Sequence, residues 1–195
     1  QGTVIFGATP LLRPSSDQTG SLGRPSFRWQ ALHVDSLVAT STVQATGTPA
    51  FMAYAASSLL NVTGNGTDYK VIFNTERFDQ ANNFASSTFT APVAGKYGFV
   101  VSCYITGIGS GHTNLNLLLE TNSGDHTLNF SNPTAAGVGG TDLTLQCSSP
   151  LIQMAANDTA TVHIIITGST LTADLLGNTG GGTGNGTSFS GWLEK

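Results

Sequence analysis

Hydrophobic and polar residues alternate along most of this chain with a period of two. In TATVHIIIT, residues 159–167, Ala160, Val162, Ile164 and Ile166 fall on one side, and Thr159, Thr161 and His163 on the other. NLNLLLET, residues 114–121, aligns Leu115, Leu117 and Leu119, and GKYGFVVSCYIT, residues 95–106, aligns Tyr97, Phe99, Val101 and Cys103. A repeat of two is that of a strand with one buried face. Helical spacing is almost absent. The pattern predicts strands over 49–55, 70–73, 83–90, 95–106, 114–121, 128–132, 142–147, 152–154, 159–167 and 187–194. Clusters of Gly, Pro, Asn, Ser and Thr separate them, the punctuation of an all-β sandwich or barrel. Each inward-facing side chain contributes about 1.5–3 kcal/mol of burial before the entropy of ordering is subtracted.

Two segments break the pattern. Residues 1–48 carry Pro10, Pro14 and Pro25, several turn signals and too few apolar residues for a core of their own. The Thr-, Gly- and Pro-rich run from Thr40 to Pro49 predicts a boundary, with a connector over 1–48 and one β domain over 49–195. GNTGGGTGNGTS, residues 177–188, reads as a glycine-rich loop. It is not a phosphate cradle, which needs a strand before it, a helix after it and usually a lysine.

Composition narrows the classes. Charged residues are 9% of 195, and the net charge is −4; an average globular chain carries about 25%. The surface is therefore polar but largely uncharged, as in extracellular and virion-surface proteins. Few basic residues exclude a phosphate-neutralising stripe, so nucleic acid is not an expected partner. No apolar run approaches the ~20 residues of a membrane helix, so insertion is not expected. The chain opens at Gln1 without a leader-like segment and reads as a fragment or processed product. Cys103 and Cys147 both fall on the apolar register; they are either buried free thiols or a cross-sandwich disulfide.

Motifs in order along residues 49–195 carry a resemblance. PAFMAYA (Pro49–Ala55), VIFNTERFDQANNF (Val71–Phe84), STFTAPVAGKYGFVVSCYI (Ser87–Ile105), the Asn157-Asp158 turn before a strand and TSFSGWLEK (Thr187–Lys195) resemble the globular heads of the complement q-subunit and tumour necrosis factor superfamily. The resemblance implies a ten-stranded TNF-like jelly-roll β-sandwich that assembles as a compact homotrimer, with its first and last strands paired antiparallel. In that frame Pro92 and Gly95 turn the chain from one sheet to the other. Phe51, Phe89, Tyr97, Phe99, Phe189 and Trp192 are expected in core or trimer packing.

Residues 11–41 are similar to a motif of bacteriophage tail fibres and tailspikes, in which a Ser-x-Asp-x-x-x-Ser-Leu-Gly turn leads to an Arg-Trp pair. Here these are Ser16, Asp17, Ser21, Leu22, Gly23, Arg28 and Trp29, followed by ALHVDSL. One such chain cannot bury Leu12, Leu22, Phe27, Trp29, Leu32 and Leu37, whereas three around an axis can. The alternative is that Arg28 and Trp29 dock on the β domain of their own chain.

Catalytic chemistry finds little to build on. Eleven acids are scattered, mostly in turns; Asp68 with Glu76, or Asp125 with Asp142, are the pairs weighed as glycosidase-like carboxylates. His33, His112, His126 and His163 form no ligand spacing, and His163 reads as a solvated histidine. The chain is read as non-enzymatic, without a cofactor or metal; Ca²⁺ from loop carboxylates is the alternative. Asn-x-Ser/Thr sequons at Asn61, Asn65, Asn129, Asn157 and Asn185 read as by-products of an Asn- and Thr-rich surface.

Together these readings predict a homotrimeric appendage tip on a virion, joined to an upstream fibre shaft and binding a glycan or protein receptor on a host cell. The loops 56–69 and 168–187 are expected at the same end, with Asn65, Tyr69, Asp174, Asn178 and Asn185 as contact residues. A structural trimerisation head and a secreted animal lectin-like domain are the other readings.

Overall fold

The alternating segments pair into two sheets. The computed structural model describes residues 48–134, 142–178 and 186–194, and fourteen strands lie within them. The tail-fibre-like segment with Trp29, and Asn185, lie outside the described residues. Among the described residues no helix is long and apolar enough to cross a membrane.

The larger sheet contains β1 (Ala50–Tyr54), β2 (Leu59–Thr63), β4 (Thr75–Gln80), β7 (Gly95–Thr106), β10 (Leu143–Ser148), β11 (Ile152–Met154), β13 (Ala173–Leu175) and β14 (Ser188–Glu194). Its order is β2-β13-β7-β14-β1-β4, with β10 and β11 on the other edge of β7. The smaller sheet contains β3 (Asp68–Lys70), β5 (Phe84–Ala85), β6 (Thr88–Thr90), β8 (Asn114–Thr121), β9 (Gly124–Ser131) and β12 (Thr159–Thr167), ordered β5-β6-β12-β8-β9 with β3 also on β12. The first strand, β1, pairs antiparallel with the last, β14, from Ala50↔Trp192 to Tyr54↔Ser188. This is a two-sheet jelly-roll sandwich.

Twelve residues of β7 give the larger sheet its frame. One edge holds β14 and then β13; the other holds β10 and β11. Between β10 and β11 stands Pro150, which has no N–H to donate. Ser149 covers the gap: its N–H donates to the Phe99 carbonyl at 2.9 Å, and its Oγ accepts the Phe99 N–H at 3.1 Å.

The core lies between the facing sides. Phe51, Ala53, Tyr97, Phe99, Val101, Cys103, Ile105 and Phe189 come from the larger sheet, and Leu115, Leu117, Leu119, Ala160, Val162, Ile164 and Ile166 from the smaller; all are essentially buried. Phe51 stacks on Phe84 at 4.6 Å and Phe89 at 5.1 Å, and meets Phe189 edge-on at 4.9 Å. Gly191 makes room for this cluster. A Cβ there would stand 2.5 Å from Phe99 Cδ1 and 2.7 Å from Phe51 Cε1.

The Pro92–Gly95 corner carries the chain from β6 in the smaller sheet to β7 in the larger. The buried Tyr97 hydroxyl donates back to the Val93 carbonyl at 2.7 Å. The Ala91 N–H donates to Asp158 O, and the Asn157 N–H to Ala91 O, tying the corner to the Asn157-Asp158 turn. Asn157 adopts a φ of 72°, a conformation asparagine tolerates.

The count of fourteen exceeds the ten strands expected, because connecting segments also pair. β2, β4 and β13 stand where no strand was predicted. The expected strand 83–90 divides into β5 and β6 around Ser86 and Ser87, both at positive φ. Ser87 Oγ accepts the Phe73 N–H at 2.9 Å, which holds this turn against the chain beside it. Trp192 stands on the outer face of β14, 39% exposed, opposite Gly98 on β7.

Both cysteines are free thiols. They are diagonal neighbours on the β7–β10 ladder, where Cys103 faces Leu145 and Cys147 faces Val101. Burial, with the neighbouring Cys147 adding to it, pushes the Cys103 thiol up to about 12; burial also raises Cys147.

Two predictions follow from this packing. Gly191→Ala overpacks the aromatic cluster and should lower unfolding free energy by about 1–3 kcal/mol, read from the urea midpoint. A thiol reagent at neutral pH should modify Cys147 first and Cys103 only after denaturation, because Cys103 is fully buried while Cys147 is partly exposed. Rapid modification of both thiols in the native protein would contradict this packing.

Candidate functional site

At one end of the sandwich the connections interlock. Buried Thr63, at the end of β2, donates its hydroxyl to Thr67 O at 2.7 Å and accepts the Ile166 N–H at 3.0 Å. Gly64 and Gly66 both donate their N–H to Ile166 O. Gly64 has a φ of 132°, and a Cβ there would stand 2.1 Å from Thr170 O, so no other residue fits. His112 is buried beside it. Its Nδ1 accepts the Gly109 N–H at 2.9 Å, leaving the Nε2 proton to point at Thr170 O at 3.4 Å. One neutral imidazole thereby joins the 107–113 and 168–172 connections.

The segments 56–69 and 168–178 therefore lie side by side, with β2 paired to β13. The residues expected to contact a receptor are largely engaged within this end. Asn65 is exposed, but its Oδ1 accepts from the Thr67 N–H at 3.0 Å and the Thr67 hydroxyl at 2.6 Å. Asp174 Oδ1 accepts the Asn61 N–H at 2.6 Å, holding Asn61 at a φ of 52°. The Asn178 N–H donates to Ala55 O at 2.7 Å. Tyr69 pairs with Ile164, packs against the core and is half-buried, and burial raises its phenol. The tip exposes Leu60, Asn61, the 65–67 turn with Asn65, and residues 168–172, with Leu60 65% and Leu171 41% exposed. Both leucines lie in the connections 56–69 and 168–187, where no alternation marks a face.

The outer face of the larger sheet carries a second surface. The ladder places Phe78, Met52, Ser190 and Val100 in one row across β4, β1, β14 and β7. Ala50, Trp192 and Gly98 form the next row. Phe78 is 51% exposed. Trp192 lies over Gly98, where a Cβ would stand 2.8 Å from Trp192 Cζ2, and its indole N–H donates to Glu194 at 3.3 Å. Arg77 stacks on Tyr54 at the margin, 5.3 Å from the ring centroid.

The outer face of the smaller sheet carries a charged group next to apolar residues, among them Ile165 and Phe130, the latter 69% exposed. His163 Nδ1 lies 2.8 Å from Asp68 Oδ1, and Nε2 lies 3.2 Å from Glu120 Oε2. Asp68 and His163 are 95 residues apart in sequence, so no local motif announces the group. The carboxylate pairs weighed from the sequence fall elsewhere: Asp68 is on the smaller sheet and Glu76 on the larger. Asp125 lies on β9 of the smaller sheet, while Asp142 accepts the Tyr104 hydroxyl at 2.5 Å beside the larger sheet. That hydrogen bond, more than burial, raises the Tyr104 phenol.

No protein-family model and no curated protein matches the chain. Among solved structures it is similar to murine APRIL at pH 8.5 (TM-score 0.46, 10% identity) and at pH 5.0 (TM-score 0.47, 10% identity). Each likeness covers 75% of this chain, and 98% and 99% of the two APRIL chains. It is also similar to Eiger TNF from S. frugiperda, at a TM-score of 0.47 and 12% identity over 76% of this chain and 94% of the other.

Proposed function

We propose that the chain is the recognition head of a homotrimeric virion appendage, a fibre tip that binds a receptor on the host bacterial surface. Residues 1–48 act as the connector to an upstream shaft. The observation that carries the reading is the apolar outer face of the larger sheet. Phe78, Met52, Val100 and Trp192 occupy neighbouring ladder positions there, and contiguous apolar surface of this kind marks an interaction face. Ser190 keeps the face low between Met52 and Val100, which leaves space for a side chain of a neighbouring copy. The similarity of residues 11–41 to tail-fibre segments supports the appendage setting.

The interlocked end then serves as the receptor face. Its exposed Asn, Ser and Thr groups offer uncharged donors and acceptors suited to saccharide hydroxyls, and Leu60 and Leu171 add apolar contact. The glycine and histidine ties beneath keep this ridge in one shape, which lowers the entropy lost on binding. Three equal sites on one trimer raise avidity by about 10²–10⁴ where receptor spacing allows.

Light scattering on the full chain at micromolar concentration should give three chains per particle. The double variant Phe78→Glu, Trp192→Glu should give folded monomers with an unchanged circular dichroism spectrum. A folded wild-type monomer would overturn the trimer. Leu60→Ser with Leu171→Ser should cut adsorption to bacterial cells about tenfold or more while leaving the trimer intact. A wild-type trimer that stains no cell in a broad bacterial panel would favour a purely structural trimerisation head.

A further inference from the structure

We propose that Asp68, Glu120 and His163 bind one divalent transition cation, Zn²⁺ foremost, on the outer face of the smaller sheet. Three adjacent strands supply one donor each: β3 gives Asp68, β12 gives His163 and β8 gives Glu120. The strands set the donors on one face without help from any loop. The His163 side chain is only 15% exposed, while Asp68 and Glu120 are 50% and 33% exposed.

The proton inventory points to a cation. Each imidazole nitrogen faces a carboxylate oxygen, at 2.8 Å and 3.2 Å. Ionised carboxylates only accept, and a neutral imidazole carries a single N–H. One of the two contacts then sets a nitrogen lone pair against an oxygen lone pair. A positive centre in that contact, a second proton or a metal ion, removes the conflict.

The neighbours favour the ion. Asp125 on β9 stands directly opposite Glu120, and like charges in that position destabilise a sheet. Lys70 stands opposite His163 on β3, but its ammonium turns away to donate to Thr88 Oγ1 at 2.8 Å and Ser86 O at 3.4 Å. Asp68 and Glu120 thus flank the imidazole, and Asp125 adds a third carboxylate beside Glu120. One divalent ion offsets more of that charge than one proton.

Donor chemistry selects the class. Imidazole with carboxylates suits Zn²⁺, Ni²⁺ or Co²⁺, whereas Ca²⁺ and Mg²⁺ take all-oxygen sites. The three donor atoms lie within 4.8 Å of one another. Ligand atoms about 2.0–2.2 Å from zinc in a tetrahedron stand ~3.3 Å apart, so rotation of the exposed carboxylates closes the set around the sheet-held imidazole. The solvent side keeps a coordination position for water. Bound there, the ion clamps the three-residue strand β3 to β12 and β8.

Calorimetric titration of the chelator-treated full chain, with Co²⁺ absorption and thermal unfolding, tests the site. One Zn²⁺ per chain, a cobalt band in the visible and a Tm rise of several degrees at about 100 µM Zn²⁺ are expected. Equal Ca²⁺ should give no such rise. Asp68→Asn and Glu120→Gln, both at exposed side chains, should each weaken Zn²⁺ about tenfold or more with an unchanged circular dichroism spectrum. His163→Asn should abolish the cobalt band; if that variant does not fold, the two carboxylate variants decide the matter. No Zn²⁺ binding at about 100 µM, or wild-type affinity in both carboxylate variants, would overturn the site and leave His163 as a doubly hydrogen-bonded strut.

Discussion

The aromatic contact between the two sheets is the constraint on which the rest depends. Phe51 and Phe189 reach down from the β1–β14 pair, Phe84 and Phe89 reach up from β5 and β6, and Tyr97 and Phe99 close the cluster from β7. Rings of this size bury much of the apolar area available to a chain with so few charges. They fit only because Gly191 offers no side chain at the centre. The Tyr97 hydroxyl finds its acceptor in the corner just before β7, so the turn between the sheets and the core beneath it are set by one residue.

Once the inner faces are committed, the two outer faces are free to differ. The larger sheet turns Phe78, Met52, Val100 and Trp192 outward, and the smaller turns out Asp68, Glu120 and His163. The apolar row on the larger sheet suits association with a like surface; the charged group on the smaller sheet stays in water and suits ions. The tip between them is stiffened from within. His112, Thr63 and the glycines satisfy backbone groups that loops of this kind normally leave to solvent. Polar residues such as Asp174 and Asn65 therefore help to build the tip, and the surface it presents combines Asn, Ser and Thr groups with two leucines.

The sheet frame was legible because period-two alternation survives wherever one face is buried. The strands at 95–106, 114–121, 152–154 and 159–167 have the bounds that their alternation predicts. β4 was not legible: TERFDQ exposes most of its residues, so burial leaves no pattern in it. β2 and β13 were not legible either, since each is short and stands by pairing with the other and with β7. Among the site residues, the placement of the two long connections at one end followed from the pairing of first and last strands. The engagement of Asp174 with Asn61 did not, because that bond spans 113 residues.

By itself, then, the amino-acid order determined an all-β chain, its long strands and the inward set of aromatic residues, because alternation and turn chemistry are local properties. Only the tertiary structure decided which strands became neighbours. That choice set Asp68 and Glu120 on either side of His163, put Phe78 beside Met52, and turned Trp192 outward over Gly98. Ladder register fixes such meetings across the sheet, and register depends on how two faces pack, which no single segment encodes.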